Sequence, residues 1–261
     1  MKVQVLVAAM HQGDHALLEK MNIQSDAIVA NQCDHNSIEE FDWNGYYIRY
    51  LNFAERGVGL NRNNALMRAD GDICLFADDD MRYCDDYVKA VCDAFEMLPD
   101  ADVIVFNLIE KNPTRHIIQK PSRVRFYNFL RYGTARVAVR NAAVQKHGIY
   151  FNQCFGGGTA HCHGEDNLFL ATCLQKGLKV YAVPAFIAEL TEERGSSWNT
   201  GYDEKYIRDQ GVLYRVMTRR WWKLLCLQDA LRHYKSYEGK SFLAAYRTML
   251  WGGSGVNCKR Q

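Results

Sequence analysis

Three consecutive carboxylates, Asp78-Asp79-Asp80, close the apolar run Ile73 to Ala77 in "ICLFADDDM". Side by side and ionised, they repel one another, so the cluster is either a solvated turn or a seat for something cationic. Asp78 and Asp80 form a D-x-D spacing, and in extended chain both side chains point to the same side. Hard cations such as Mg2+ or Mn2+ take oxygen ligands and commonly share one or two carboxylates with substrate phosphates. The alternative is an acidic turn leading into the next helix, where Asp near an N-terminus is favourable. A second constellation lies in "FGGGTAHCHGEDNLFL", where Glu165 and Asp166 open a helical pattern. The three glycines before them, Gly157 in the middle, would let backbone approach a bound ligand closely. A carboxylate so placed can serve as a general base, or it can simply complement the helix dipole. His161 and His163 form an H-C-H triplet just before the pair. Zinc would need further ligands that the spacing does not supply, so neither is counted as a metal ligand.

Both constellations need elements that hold them in place. "KVQVLVAA", "DAIVANQ", "YYIRYLN", "DICLFA", "DADVIVFNLI" and "LKVYAVPA" read as buried strands. "GDHALLEKMNI", "GLNRNNALMRA", "YCDDYVKAVCDAFEML" and "GEDNLFLATCLQKG" carry helical periodicity and alternate with them. Such alternation predicts an α/β, Rossmann-like domain with a mainly parallel central sheet flanked by helices. Ligands in such sheets gather at the carboxyl ends of strands, which is where Asp78 to Asp80 fall. From Lys111 to Phe151 the strands are short and less regular, and beyond Ser196 the chain becomes helical and aromatic. The expected organisation is one domain over 1–195 and a helical C-terminal extension over 196–261.

The chain has 261 residues, a formal net charge of +2 and 48% hydrophobic residues, which describes a globular protein with a sizeable core. So small a charge gives no reason to expect nucleic acid as a partner. Nine scattered cysteines with no CxxC pair, and a first apolar run too short for a signal peptide, suggest free thiols in the cytoplasm. No run approaches the roughly 18 apolar residues needed to span a bilayer.

The run "GVGLNRNNALMRADGDICLFADDDM" resembles glycosyltransferase family 2 and its GT-A fold. It has the Arg62-Asn63 pair in a helix, the turn Ala69-Asp70-Gly71-Asp72, a hydrophobic strand and then the D-x-D motif. The resemblance implies a UDP-sugar donor whose diphosphate is held through Mn2+ or Mg2+ at Asp80. By the same resemblance Asp78 stands nearer the ribose and Asp79 helps the sugar or the metal. Ala8, Ala9 and Met10 stand where the family places the polar tip after the first strand. "NQCDHNS" looks like a variant of its D-D-x-S turn, making Asp34 a candidate to accept from a uracil N–H. An Asx turn at Asp34 or Asn36 is the plainer reading. Arg62 is expected to face the diphosphate. "GED" resembles the acceptor-side motif of inverting members, which makes Asp166 the base and Glu165 an orienting residue. The Q-x-x-R-W motif of processive synthases is missing, with "SSWNTGY" as its only local counterpart, so single-sugar addition is expected.

The resemblance therefore implies transfer of a hexose to a glycan or polyprenyl-linked acceptor, in surface polysaccharide synthesis. "TRRWWKLLCLQDALRHYKSY" mixes basic residues with Trp221, Trp222 and Leu224. It suits peripheral contact with an anionic membrane, or else a helix packed on the domain or on another subunit. Two rival functions remain. A nucleotidyltransferase would also pair an α/β sheet with metal-binding Asp, but "AAMHQGDH" lacks its Gly-rich basic loop. A non-catalytic nucleotide-sugar or glycan binder would have no use for a base at Asp166.

Overall fold

In the computed structural model, which describes residues 1–113, 115–191, 202–237 and 239–255, the strands are β1 (Val3–Met10), β2 (Asp26–Gln32), β3 (Ser37–Trp43), β4 (Tyr46–Phe53), β5 (Ile73–Asp78), β6 (Met81–Tyr83), β7 (Val103–Ile109), β8 (Ser122–Arg123), β9 (Val137–Arg140) and β10 (Val180–Leu190). The helices are α1 (Ala16–Lys20), α2 (Val58–Leu66), α3 (Tyr87–Met97), α4 (Asn141–His147), α5 (Glu165–Gln175), α6 (Glu204–Met217), α7 (Trp222–His233) and α8 (Phe242–Ser254).

The strands form one ten-stranded sheet in the order β3-β4-β2-β1-β5-β9-β7-β10-β6, with β8 beside β10. β4, β2, β1 and β5 pair in parallel, as do β7 and β10. β9 lies inverted between β5 and β7. Because side chains alternate across a strand, β1 feeds two cores. Val5 and Val7 join Leu17, Leu18 and the α3 residues Val91 and Phe95 on one face. Leu6 joins Ala65, Leu66, Phe169 and the C-terminal helices on the other. This is the α/β architecture of the GT-A fold, with the C-terminal helices laid on one of its faces.

β3 has no clear strand signal in the sequence. It is an edge strand whose "SIEEFDW" is half-exposed along its length, so its apolar signal is weak. Its turn, however, was written in the chain: Asn44 and Gly45 both have positive φ, 53° and 83°. That dipeptide is the strongest short hairpin signal, and β3 pairs antiparallel with β4 across it.

The C-terminal helices share the core rather than standing apart from it. Trp222 and Cys226 are buried, with the Trp222 ring against Gly253. Trp221, grouped with it in the sequence, is 56% exposed, and Leu224 and Leu231 are equally open. No helix among the described residues is long and apolar enough to cross a membrane. The segment "SSWNTG" at 196–201 lies outside the described residues.

Candidate active site

A cleft of about 730 Å3 opens at the carboxyl ends of β1 and β5. Ala8, Arg62, Asp78, Asp79, Asp80, Gly157, Glu165 and Asp166 all line it. The parallel register sets Ala8 opposite Asp78, so the two strands deliver their ends to one place. Past β5 the chain turns through Asp79 and Asp80 into β6. Asp79 Oδ2 accepts from the Met10 main-chain N–H at 3.2 Å and from Gln12 Nε2 at 3.1 Å, tying the turn to the end of β1. Asp80 is held by its carbonyl oxygen, which accepts from Thr191 N at 2.8 Å and Thr191 Oγ1 at 2.9 Å.

α2 explains how an arginine can sit beneath this cleft. It is polar where a helix packed on a sheet is ordinarily apolar, and its polar groups are clamps. Asn61 Nδ2 donates to the Ala30 carbonyl at 2.8 Å. Asn63 exchanges two hydrogen bonds with the Phe151 main chain, at 2.9 and 2.8 Å. Held so, Arg62 is only 4% exposed, with its guanidinium over the Phe151 ring. Its fork meets three carboxylates: Asp78 at 2.6 Å, Glu165 at 3.0 Å and Asp166 at 2.9 Å. A buried cation requires such partners, since leaving it unpaired would be costly. Arg62 was expected to face a diphosphate. It lines the cleft, but these donors are committed to binding β5 and α5 together.

Asp166 Oδ1 also accepts from Thr134 Oγ1 at 2.7 Å, and Oδ2 accepts from Thr134 N at 3.1 Å. Burial opposes its charge, yet Arg62 and the two Thr134 bonds outweigh it and hold the carboxyl below the ordinary range. Glu165 goes the other way: burial, then the adjacent Asp166, push it up to about 8. The two carboxyls are thus driven apart, Asp166 toward its ionised form and Glu165 toward its protonated one. Thr134 carries no signal in the sequence, because it sits in a short 3₁₀ turn, Thr134–Arg136, with no motif around it. Gly164, at φ 108°, starts α5, and a Cβ there would come within 2.7 Å of Leu213 on α6. The C-terminal layer thereby presses directly on the start of the helix that carries both carboxylates.

Asp34 is not among the residues lining the cleft. Its side chain is 96% exposed and pairs with His35 Nδ1 at 3.0 Å. β2 ends at Gln32, and Asp34 belongs to the turn that carries the chain away toward β3. Gln32 is the β2 residue that lines the cleft, and its Oε1 accepts from Gly57 N at 2.9 Å. His161 and His163 are both engaged: His161 Nδ1 lies 2.9 Å from Asp209 Oδ1, and His163 Nε2 lies 2.6 Å from Gln210 Oε1.

A hard cation fits the acidic wall. Burial pushes the Asp80 carboxyl up, and Asp78 and Asp79 push it further. The turn therefore holds more negative charge than its surroundings welcome, all of it on oxygen donors of the kind Mg2+ and Mn2+ take. Asp78 gives one oxygen to Arg62 and keeps the other.

Residues 26–152 match the family model described as Glycosyl transferase family 2. No curated protein matches the chain. Among solved structures, S. aureus TarS 1-349 in complex with UDP-GlcNAc superposes with a TM-score of 0.64 at 17% identity, over 90% of this chain and 73% of that one. TarS 1-349 in complex with UDP gives 0.61 at 17% identity, over 90% and 72%. A longer S. aureus TarS chain gives 0.63 at 15% identity, and the present chain spans 44% of it. Identity this low speaks for the fold. The matched segment carries α2, Arg62 and the Asp78–Asp80 turn and is similar to glycosyl transferase family 2, while the superposition gives the chain the GT-A fold.

Proposed function

We propose that the protein is an inverting, metal-dependent glycosyltransferase. It moves a hexose from a UDP-sugar to a hydroxyl of a glycan or lipid-linked acceptor, in the synthesis of a surface polysaccharide. The observation that carries this reading is the Arg62-centred cluster, which ties the D-x-D strand to the carboxylate pair across one cleft. The donor class is supported by the similar fold of TarS, which was solved with UDP-GlcNAc and with UDP.

Asp80 and the free oxygen of Asp78 would hold Mn2+ or Mg2+. Such an ion, when bound, offsets the charge that develops on a diphosphate leaving group. Ala8 and Gln32, at the ends of β1 and β2, stand on the donor side, and Gly157 brings main chain to the same wall. Asp166 accepts the acceptor's hydroxyl proton as its oxygen bonds to the anomeric carbon. The bond from that carbon to the diphosphate breaks on the opposite face, and its electron pair leaves with UDP. Of the pair, Asp166 is the more accessible, its side chain 29% exposed against 12% for Glu165. It is also the member held ionised, as a base must be. Glu165, carrying its proton, orients the cluster.

The exposed Trp221, Leu224 and Leu231, beside Arg219, Arg220 and Lys223, suit peripheral contact with an anionic membrane at the cytoplasmic face. The test of the central reading is a screen of UDP- and GDP-sugars, with and without Mn2+, for hydrolysis and for thermal stabilisation. Metal-dependent turnover of a UDP-sugar is expected. Indifference to every nucleotide sugar with Mn2+ present would sink the proposal.

A further inference from the structure

Two polar side chains end β2, on opposite faces of the sheet as alternation requires, and only one of them is fully engaged. Asn31 is buried and commits its whole amide to its neighbours. Its Oδ1 accepts from Gln12 N at 3.0 Å, and its Nδ2 donates to the Gln12 carbonyl at 2.9 Å and to Asn52 Oδ1 at 2.8 Å. Gln32 is just as deeply set, 4% exposed, yet it lines the catalytic cleft. Its Oε1 accepts from Gly57 N at 2.9 Å, and its Nε2 has no partner among the described residues. A main-chain N–H must meet an oxygen, so the Gly57 bond fixes which end of the amide is which. Both Nε2–H donors are left for the cleft. The side chain is also held stiffly. Gly57 caps α2 at φ 123°, a backbone that suits glycine, and a Cβ there would come within 3.3 Å of Thr159 Cγ2. One turn on, Asn61 clamps the same helix to the Ala30 carbonyl of the same strand.

The position of these donors decides what part of a ligand they meet. β5, β1 and β2 lie side by side, with Ala8 level with Asp78 and Met10 level with Gln32. Two strand spacings, roughly 10 Å, therefore separate the end of β2 from the end of β5. A nucleoside diphosphate whose phosphates sit at the Asp78–Asp80 turn has a ribose and a base to lay across that gap, and the base is the far end. The family resemblance placed a carboxylate there, Asp34, to accept from a base N–H. The fold turns Asp34 out to solvent and presents a donor instead. What this wall recognises is a carbonyl oxygen.

We propose that Gln32 selects the nucleobase by donating from Nε2 to the C4 carbonyl of uracil. The inference rests on the glycosyltransferase reading for the phosphate anchor. Uracil and cytosine have nearly the same shape and differ at that edge: one carries an O4 acceptor, the other an N4 amino donor. Two N–H groups cannot satisfy each other, and the Gly57 bond keeps the amide from turning over to offer its oxygen. A buried donor left unpaired is costly, so UDP is taken and CDP refused. A contact from Nε2 to ribose or phosphate would treat the two nucleotides alike.

Calorimetric titration of the whole chain with UDP, CDP and 4-thio-UDP, each with Mn2+, tests this. UDP is expected to bind roughly tenfold or more tightly than CDP. The sulfur of 4-thio-UDP is a weaker acceptor than oxygen, so that analogue should fall between them, and this comparison needs no substitution. Gln32→Glu keeps an oxygen for Gly57 N and turns the second group from donor to acceptor, so the order should reverse in favour of CDP. The ratio is what is read, because the added charge acts on both nucleotides alike, and a mere loss of packing would not reverse it. Gln32→Met removes both groups and should bring UDP and CDP to similar affinity. Asp34→Ala should keep the parent's ratio. Equal binding of UDP and CDP by the parent overturns the proposal and leaves the donor reading in place, and so does an unchanged ratio in a folded Gln32→Met. A ratio that collapses in Asp34→Ala but not in Gln32→Met overturns it as well, returning the base to Asp34. If neither nucleotide binds with Mn2+ present, the donor reading falls and this inference with it.

Discussion

Under the proposed function Asp80 and Asp166 make separable predictions, since one would serve the leaving group and the other the acceptor. Burial and two acidic neighbours raise the Asp80 carboxyl, so a divalent cation gains there what the ionised turn lacks. Asp80→Ala is expected to abolish the Mn2+-dependent part of UDP affinity in calorimetric titration while the melting temperature holds. Equal UDP affinity in the variant and the parent, with Mn2+ present, would move the metal elsewhere. Asp166→Asn keeps the size of the side chain but cannot take a proton, and its amide must turn an N–H toward Arg62 or Thr134. Loss of a general base typically costs about 10²–10⁴-fold in rate. The variant should therefore bind UDP-sugar normally and lose transfer by that order, and Glu165→Gln should cost less. Initial rates measured with donor affinity check this, and near-parental transfer by Asp166→Asn would put the base elsewhere. The acidic residues were legible in the sequence because their chemistry is local to a motif. Thr134 was not, since it reaches Asp166 only through the folding of a segment without periodicity.

Among the elements, α2 carries most of the site's organisation. Its burial pattern makes little sense as an amphipathic helix, for Asn61, Arg62, Asn63 and Asn64 are all buried. It makes sense as a polar staple: asparagines fix the helix to β2 and to the Phe151 segment, and Arg62 then ties β5 to α5. Removing one partner from such a buried cluster leaves charge uncompensated, at a cost of about 3–5 kcal/mol. Arg62→Leu is therefore expected to lower unfolding stability by that order, as read from the denaturant midpoint, and to loosen both walls of the cleft. A loss below about 1 kcal/mol would mean that water reaches the carboxylates and that the staple is not structural. The parallel strands were readable because a strand buried on both faces is a plain apolar run. Asp34 is harder to place from a motif, because β2 ends at Gln32 and the turn beyond it carries the Asp34 side chain out to solvent.

Across the whole molecule, opposite shifts in two carboxyl groups shape how stability depends on pH. Asp209 on α6 accepts from Lys205 Nζ at 2.6 Å and from Cys162 N at 3.0 Å, and pairs with His161 Nδ1 at 2.9 Å. Burial opposes its charge, but these partners outweigh it and hold the carboxyl well below its ordinary range. A lowered folded value gives stability that is present above the unfolded value of about 4 and is lost as pH falls below it. Glu165 is raised from 4.5 to about 8, so its contribution is complete below 4.5 and drains away as pH rises to about 8. The first group fastens the C-terminal layer to the loop before α5, and the second sits in the first turn of α5 itself. Both limbs of the stability profile thus report on one junction. Asp209→Asn removes a carboxylate that accepts charged hydrogen bonds, worth about 1.5–3 kcal/mol near neutrality, and should flatten the acid limb. Glu165→Gln fixes the neutral form, so it should melt above the parent at about pH 8 to 9 and converge with it near pH 5. Melting temperatures of the three proteins from about pH 2 to 9 decide the matter. A Glu165→Gln curve parallel to the parent's throughout would mean that Glu165 is already ionised at neutral pH, and that the acidic pair is not divided as drawn.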